Sequence, residues 1–266
     1  MKTIALLLGM AFCLTAGKTT SAPAASHAGE VAERRQEAEA NYQQAVRLVE
    51  GNGVPPDYAA AAVLYRRAAE AGHVAAQYDL GYLYENGLGV KCDFRQAAAW
   101  YRRAAGQGDA EAQNNLGALY ATGRGVRRDD AEAVRWYRLA AAQGDPEATD
   151  NLGMMYLRGR AVKKDEKAAF ELIHKAARQG YATAQNNLGL LYANGQGAGR
   201  DYILAWAWLD LASEQLPASA AIRDRVAKEM TEADLAQARA TRARLENEIN
   251  PPKDSNPPSG RRQAAV

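Results

Sequence analysis

The sequence predicts an all-α protein, an α/α solenoid of five 36-residue helix–turn–helix repeats followed by C-terminal capping helices. Three observations predict it. First, the phrase AQNNLGALYATGRGV, starting at Ala112, returns almost unchanged as AQNNLGLLYANGQGA at Ala184. ATDNLGMMYLRGRAV at Ala148 stands midway, AQYDLGYLYENGLGV at Ala76 precedes them, and ANYQQAVRLVEGNGV at Ala40 is a degraded copy. Second, the step is 36 residues each time, the range in which repeat arrays stack supersecondary units. Third, small and apolar residues recur inside each phrase at helical spacing, and glycines punctuate it twice.

Each column of the repeat has a physical task. In the second unit Ala76, Leu80, Leu83, Tyr84 and Gly87 share one face, so residues 74–86 read as an amphipathic helix, helix A. Gly81, Gly117, Gly153 and Gly189 lie beside that stripe. A glycine inside a helix costs roughly 1 kcal/mol against alanine, so a column of them points to close helix–helix approach. Gly87 and Gly89 suit a helix end and turn that need positive φ. Asp93 is then the N-cap of a second helix, helix B, and Asp129 with Glu132 has capping-box spacing. Helix B is alanine-rich, carries Trp100-Tyr101 or Trp136-Tyr137, and closes on another glycine. These aromatic pairs, with Trp206 and Trp208, fall at repeat positions and read as core. One such helix pair cannot bury its apolar face alone, whereas stacked neighbours can.

The pattern Ala-x-x-x-Leu-Gly-x-x-Tyr-x-x-Gly-x-Gly-Val-x-x-Asp-x-x-x-Ala-x-x-Trp-Tyr-x-x-Ala-Ala-x-x-Gly closely resembles the Sel1-like repeat, a family of short α/α repeats related to tetratricopeptide repeats. The resemblance covers roughly residues 36–213 and implies a right-handed superhelix. Unit one departs from it, with Gln44, Ala45 and Leu48 where the others have Leu, Gly and Tyr. Unit four has Ala161 for the second turn glycine and Leu172-Ile173 for Trp-Tyr; unit five has Ala198 for the valine and Leu209 for the tyrosine. The expected organisation is a leader over 1–28, repeats over 29–213 (about 36–72, 73–108, 109–144, 145–180 and 181–213), a helical cap over 214–248 and a disordered tail over 249–266. The cap holds two helices, the second opening at Thr231 with Asp234 three residues on.

The leader has a basic Lys2, an apolar run from Ile4 to Ala16 and small-residue cleavage sites between Gly17 and Ala28. That is a secretory signal by pattern, too short to span a membrane, and it predicts a periplasmic or secreted chain. Phe12 before Cys13 disfavours a lipoprotein signal. The formal net charge of +2 falls to about zero once Lys2 and Lys18 are removed, which argues against nucleic acid as the main partner.

Catalytic and metal chemistry find little footing. The repeats hold one cysteine, Cys92, and the histidines are His27, His73 and His174, without zinc-ligand spacing. No metal or cofactor is expected. Cysteine-rich secreted Sel1-like proteins are associated with β-lactam binding and hydrolysis, so a cell-envelope hydrolase is the enzymatic alternative the resemblance implies. This chain lacks the cysteine pair per repeat, has no Ser-x-x-Lys, and has no serine at all from Gly29 to Ala212. A serine acyl-enzyme on the repeats is therefore excluded, and no enzymatic activity is expected. Cys92 reads either as an unpaired small residue in a turn or as an intermolecular thiol.

The expected function is binding of a protein or peptide on the concave face. Positions that point away from the Ala76/Leu80/Tyr84 stripe vary between units where structural columns do not. They supply the candidate site: Tyr42, Tyr78, Asn114, Asp150 and Asn186 in one column, Tyr82, Met154 and Leu190 in a second, Glu85 and Leu157 in a third. Arg66, Arg102 and Arg138 form a further column, read as a solvated face or as weak contact with anionic envelope components.

Overall fold

The computed structural model describes residues 23–250 except 52, with side chains from residue 29 onward. The leader expectation therefore falls outside the described residues for 1–22, and the tail expectation does for 251–266. Among the described residues there are twelve helices and no strand. They are α1 (Pro23–Glu50), α2 (Tyr58–Glu70), α3 (Val74–Asn86), α4 (Phe94–Gly106), α5 (Ala110–Thr122), α6 (Asp130–Ala142), α7 (Pro146–Arg158), α8 (Glu166–Arg178), α9 (Ala182–Asn194), α10 (Tyr202–Ser213), α11 (Ala218–Ala227) and α12 (Glu232–Ile249). Each helix from α1 to α10 packs on the next in chain order, and α10 carries both α11 and α12. Odd-numbered helices up to α9 are the A helices and even-numbered ones up to α10 the B helices.

The core is built from the repeat columns. Ala76, Ala112, Ala148 and Ala184 are wholly buried, as are Leu80, Leu116 and Leu188. Burying one such leucine contributes about 1.5–3 kcal/mol against leaving it in water. The helical glycines sit where helix B comes closest. A Cβ on Gly81 would stand 2.8 Å from the Tyr101 ring, and one on Gly117 2.8 Å from the Tyr137 ring. In unit four the intruding side chain is Ile173 at 2.7 Å from a Cβ on Gly153, and in unit five Leu209 at 2.6 Å from one on Gly189. So the departures from Trp-Tyr keep a bulky residue over the same glycine.

The turn chemistry follows the sequence with two local differences. Asp93 accepts from the N–H groups of Arg95 and Gln96, and Asp129 from those of Ala131 and Glu132. The capping box expected at Asp129 and Glu132 does not close. The Asp129 N–H is already bonded to Tyr120 O at 3.0 Å, so Glu132 turns outward to Arg135 at 3.3 Å. The second turn glycine is a contact between units: a Cβ on Gly89 would overlap the Tyr58 backbone, at 2.2 Å. Unit four holds Ala161 there at φ 53, which costs an alanine roughly 1–2 kcal/mol. That seam has a different fastening. Arg160 reaches both Asp130 oxygens, at 2.6 and 2.9 Å, and Ala121 O at 2.8 Å. Arg160 first, then Arg128, holds the Asp130 carboxyl well below the usual range.

Two helices, α11 and α12, follow the last repeat. Thr231 and Asp234 make the capping box at the start of α12. Arg223 and Arg242 converge on Asp210 at 2.7 and 3.3 Å, tying α11 and α12 to the last B helix.

Substituting Gly117→Val pushes a branched side chain into the Tyr137 ring. Overpacking of this kind costs about 1–3 kcal/mol, so the thermal midpoint followed by circular dichroism falls by several degrees. A midpoint at or above that of the parent would mean the glycine column is not a packing site.

Candidate functional site

The A helices hydrogen-bond to each other from unit to unit, which places them on the inner side of the stack. Asn151 Nδ2 donates to Asn114 Oδ1 at 3.0 Å, and Asn187 Nδ2 to the Asp150 carboxylate at 3.1 and 3.0 Å. Tyr42 stands near Asp79, and Tyr78 near Asn115, at the corresponding positions. At the cap, Ser219 Oγ donates to Asn186 Oδ1 at 2.8 Å. The result is a polar ladder from α1 to α11. A second ladder runs through the glutamines: Gln77 and Gln113 cap Ala69 O and Ala105 O, and receive Gln107 and Gln143 at 2.8 and 2.9 Å.

This arrangement corrects the expected exposure of several candidate residues. Asn114 and Asp150 are buried, at 2% and 3% exposed, because they face the next A helix rather than open solvent. Tyr42, Tyr78 and Asn186 are half-buried for the same reason. Tyr78 also lies 5.8 Å from the Tyr101 ring. Met154 and Leu157 are half-buried against the core of units four and five, and Leu190 is half-buried. Glu85 accepts from the Tyr101 hydroxyl at 2.9 Å. Tyr82 alone among the ten is exposed, at 45%. The structure thus brings Tyr78 and Asn114 into one groove, and leaves Tyr82 outside it.

That inner groove holds about 310 Å³ and is walled by Tyr78, Tyr181, Asn115 and Pro146. Glu111 and Glu147, on the first turns of α5 and α7, and Asp145 supply its charge. First-turn carboxylates are favoured by the helix dipole. The acids repel one another: burial and then the charges of Asp145, Glu111 and Glu85 push the Glu147 carboxyl up, against a hydrogen bond from Asn114. Glu111, Asp145 and Glu147 take part in no ion pair among the described residues. Sequence reasoning missed Glu111, Glu147 and Tyr181, because they sit at helix starts outside the columns chosen for variability.

The opposite edge of the stack is basic. Arg102 donates to the Tyr120 hydroxyl at 3.0 Å and Arg138 to that of Tyr156 at 3.1 Å; Arg66 bonds Tyr84 in the same way. The arginine column is therefore held by the following unit. Trp100 and Trp136 are buried to 8% and 9%, as core aromatics. Cys92 is an exposed free thiol beside this edge, its Sγ donating to Glu85 O at 3.3 Å. Among the described residues no group of His, Cys, Asp or Glu gathers as a metal site, and no helix is long and apolar enough to cross a membrane.

Burial raises two carboxyls along the ladder, Asp79 and Asp150, each to about 6. At Asp150 the rise starts from 3.8 and is offset in part by the Asn187 hydrogen bonds. An acid raised on folding is protonated in both states below about pH 4, so nothing is lost there. As pH climbs from 4 to 6 the unfolded chain ionises first and the fold loses stability; above about 6 the loss is complete. Asp150→Asn, matching Asn114 and Asn186, should stabilise the chain at pH 7 by on the order of 1–3 kcal/mol and change nothing at pH 4. Paired denaturant titrations check this. A variant weaker than the parent at pH 7 would make the ionised pair with Asn187 a net stabiliser.

Comparison with known proteins agrees with the geometry. The family model described as Sel1 repeat matches residues 38–73, 74–109, 110–145, 146–181 and 182–215. The structure is similar to c5321, a protective antigen of uropathogenic Escherichia coli displaying an SLR fold, with TM-score 0.76 and 38% identity over 83% of this chain and 47% of that one. It is similar to a Sel1 repeat protein from Oxalobacter formigenes, with TM-score 0.69 and 28% identity over 84% of this chain and 88% of that one. An uncharacterised protein of Neisseria meningitidis serogroup B is 53% identical over 51 residues, 19% of this chain and 11% of its own length. The chain thus spans about half of the antigen and a ninth of the Neisseria protein. Sel1 repeats generally mediate protein–protein interaction on a non-catalytic scaffold, and with five of them in unbroken succession this chain belongs to the Sel1-repeat family.

Proposed function

We propose that the chain is an exported scaffold that captures a segment of another protein along its inner face, and that the segment is basic. One observation carries this reading. The groove between Tyr78 and Tyr181 gathers Glu111, Asp145 and Glu147, and none of the three has an ion-pair partner among the described residues. A lysine or arginine side chain entering there relieves the mutual repulsion and lies against aromatic walls. Stacked repeats extend such a groove into a surface that a peptide can follow. Export rests on the leader pattern of Lys2 and the Ile4–Ala16 apolar run. The absence of serine from Gly29 to Ala212, and of Ser-x-x-Lys anywhere, counts against the acyl-enzyme route that the hydrolase alternative requires.

Two measurements test the proposal. On a peptide array, the chain from Gly29 onward is expected to retain Lys- and Arg-bearing segments, with binding that weakens as salt rises. Glu111→Gln with Glu147→Gln should lower retention about tenfold or more while leaving helix content intact, since each lost charge-assisted hydrogen bond is worth about 1.5–3 kcal/mol. Equal retention by the double variant would move the binding site elsewhere. Separately, residues 1–28 fused to an alkaline phosphatase reporter should yield enzyme activity outside the cytoplasm. A reporter that stays inactive would overturn export and leave the inner groove untouched.

A further inference from the structure

The outer edge carries three grooves at the repeat step. Each lies between an arginine of one B helix, the tyrosine of the following A helix, and the turn that leads into the next B helix. The first is framed by Arg66, Tyr84 and Lys91, the second by Arg102, Tyr120 and Arg127, the third by Arg138, Tyr156 and Lys163. Their volumes are about 990, 760 and 620 Å³. Most of the acids present are already engaged: Asp93, Asp129 and Asp165 cap helices, Glu132 pairs with Arg135, and Glu166 with Lys164, while Glu70 leaves one unpaired carboxylate in the first groove among the described residues. Among the described residues the framing arginines and Lys91, Arg127 and Lys163 have no carboxylate partner. The series ends at unit four, where His174 stands in the arginine column, half-buried against Phe170 and Trp208 and with its pKa lowered by burial.

A second observation points independently to a ligand that accepts hydrogen bonds. Trp136 lines the middle groove and is nine-tenths buried, yet its indole N–H has no acceptor. A buried unsatisfied donor costs about 1–3 kcal/mol, and such a group calls for an explanation. The neighbouring Arg102 is fixed by Tyr120, so its remaining donors are pre-oriented. Arginine forks fit the paired non-bridging oxygens of a phosphate, and successive phosphates leave further oxygens for a neutral N–H, where a single carboxylate has only two in all.

We propose that this edge binds a linear phosphate polymer, one stretch of which occupies successive grooves. The repetition of one site at a constant step favours a ligand that is itself repetitive. Linked sites bind such a chain with avidity beyond that of any one groove. The surface is separate from the inner acidic groove, so either can fail without the other.

The experiment titrates tryptophan fluorescence of the chain from Gly29 onward with orthophosphate, tripolyphosphate and long-chain inorganic polyphosphate. The expected result is affinity that rises with chain length at equal phosphate concentration and falls with salt. Arg127→Gln with Lys163→Gln, which removes no internal contact, should weaken long-chain binding about tenfold. Trp136→Phe, which removes the donor while keeping an aromatic ring, should weaken it with helix content preserved. Polyphosphate that binds no tighter than tripolyphosphate, or equal binding by the folded double variant, would overturn the proposal. Tighter binding of single-stranded DNA than of polyphosphate of equal charge would also overturn it, in favour of a nucleic-acid surface.

Discussion

Everything in this molecule depends on how near helix B can come to helix A. That distance is set at Gly81, Gly117, Gly153 and Gly189, where the only thing between a backbone and a bulky side chain is a missing Cβ. The contact fixes the thickness of each unit, and the thickness fixes where the next unit lies. Only then do groups 37 residues apart, such as Asn114 and Asn151, fall within hydrogen-bond reach. The large residue over the glycine changes from tyrosine to isoleucine to leucine along the chain, but the spacing does not, because shape rather than chemistry is what the site demands.

Two faces of opposite character follow from that stacking. A-helix starts bring carboxylates to the inner side, where the helix dipole favours them. B helices and the turns leading into them bring arginine and lysine to the outer edge. A chain with almost no net charge is thereby strongly divided. Net charge alone, read from 33 basic and 31 acidic residues, hides this division completely.

Much of the fold was legible because its signals are local. Positive φ at Gly87, the cap at Asp93 and the capping box at Thr231 each depend on a handful of neighbouring residues. The box at Asp129 and Glu132 failed for a non-local reason: Tyr120 O, nine residues back, already holds the Asp129 N–H. The candidate site was harder to read. Asn114 and Asp150 varied between units and were polar, so they resembled free surface, whereas they are rungs between helices. A signal was present in the adjacent polar pairs Asn114-Asn115, Asp150-Asn151 and Asn186-Asn187; in the last two, one member bonds forward and the other back. The Arg–Tyr bonds join two visible columns, yet their meeting requires the stack itself.

The seam between units three and four is fastened unlike the others. Elsewhere backbone meets backbone through a glycine, as at Gly89 on Tyr58, Gly125 on Phe94 and Gly197 on Glu166. Here Ala161 takes the glycine position, and the bidentate Arg160–Asp130 pair does the holding. Treated as a spring, the solenoid therefore has unequal stiffness along its length. Contacts of shape are short-ranged and indifferent to ions; a partly exposed ion pair softens as salt screens it. Salt therefore acts on this joint before the others, loosening the tie between units three and four while the packing inside each unit is left alone.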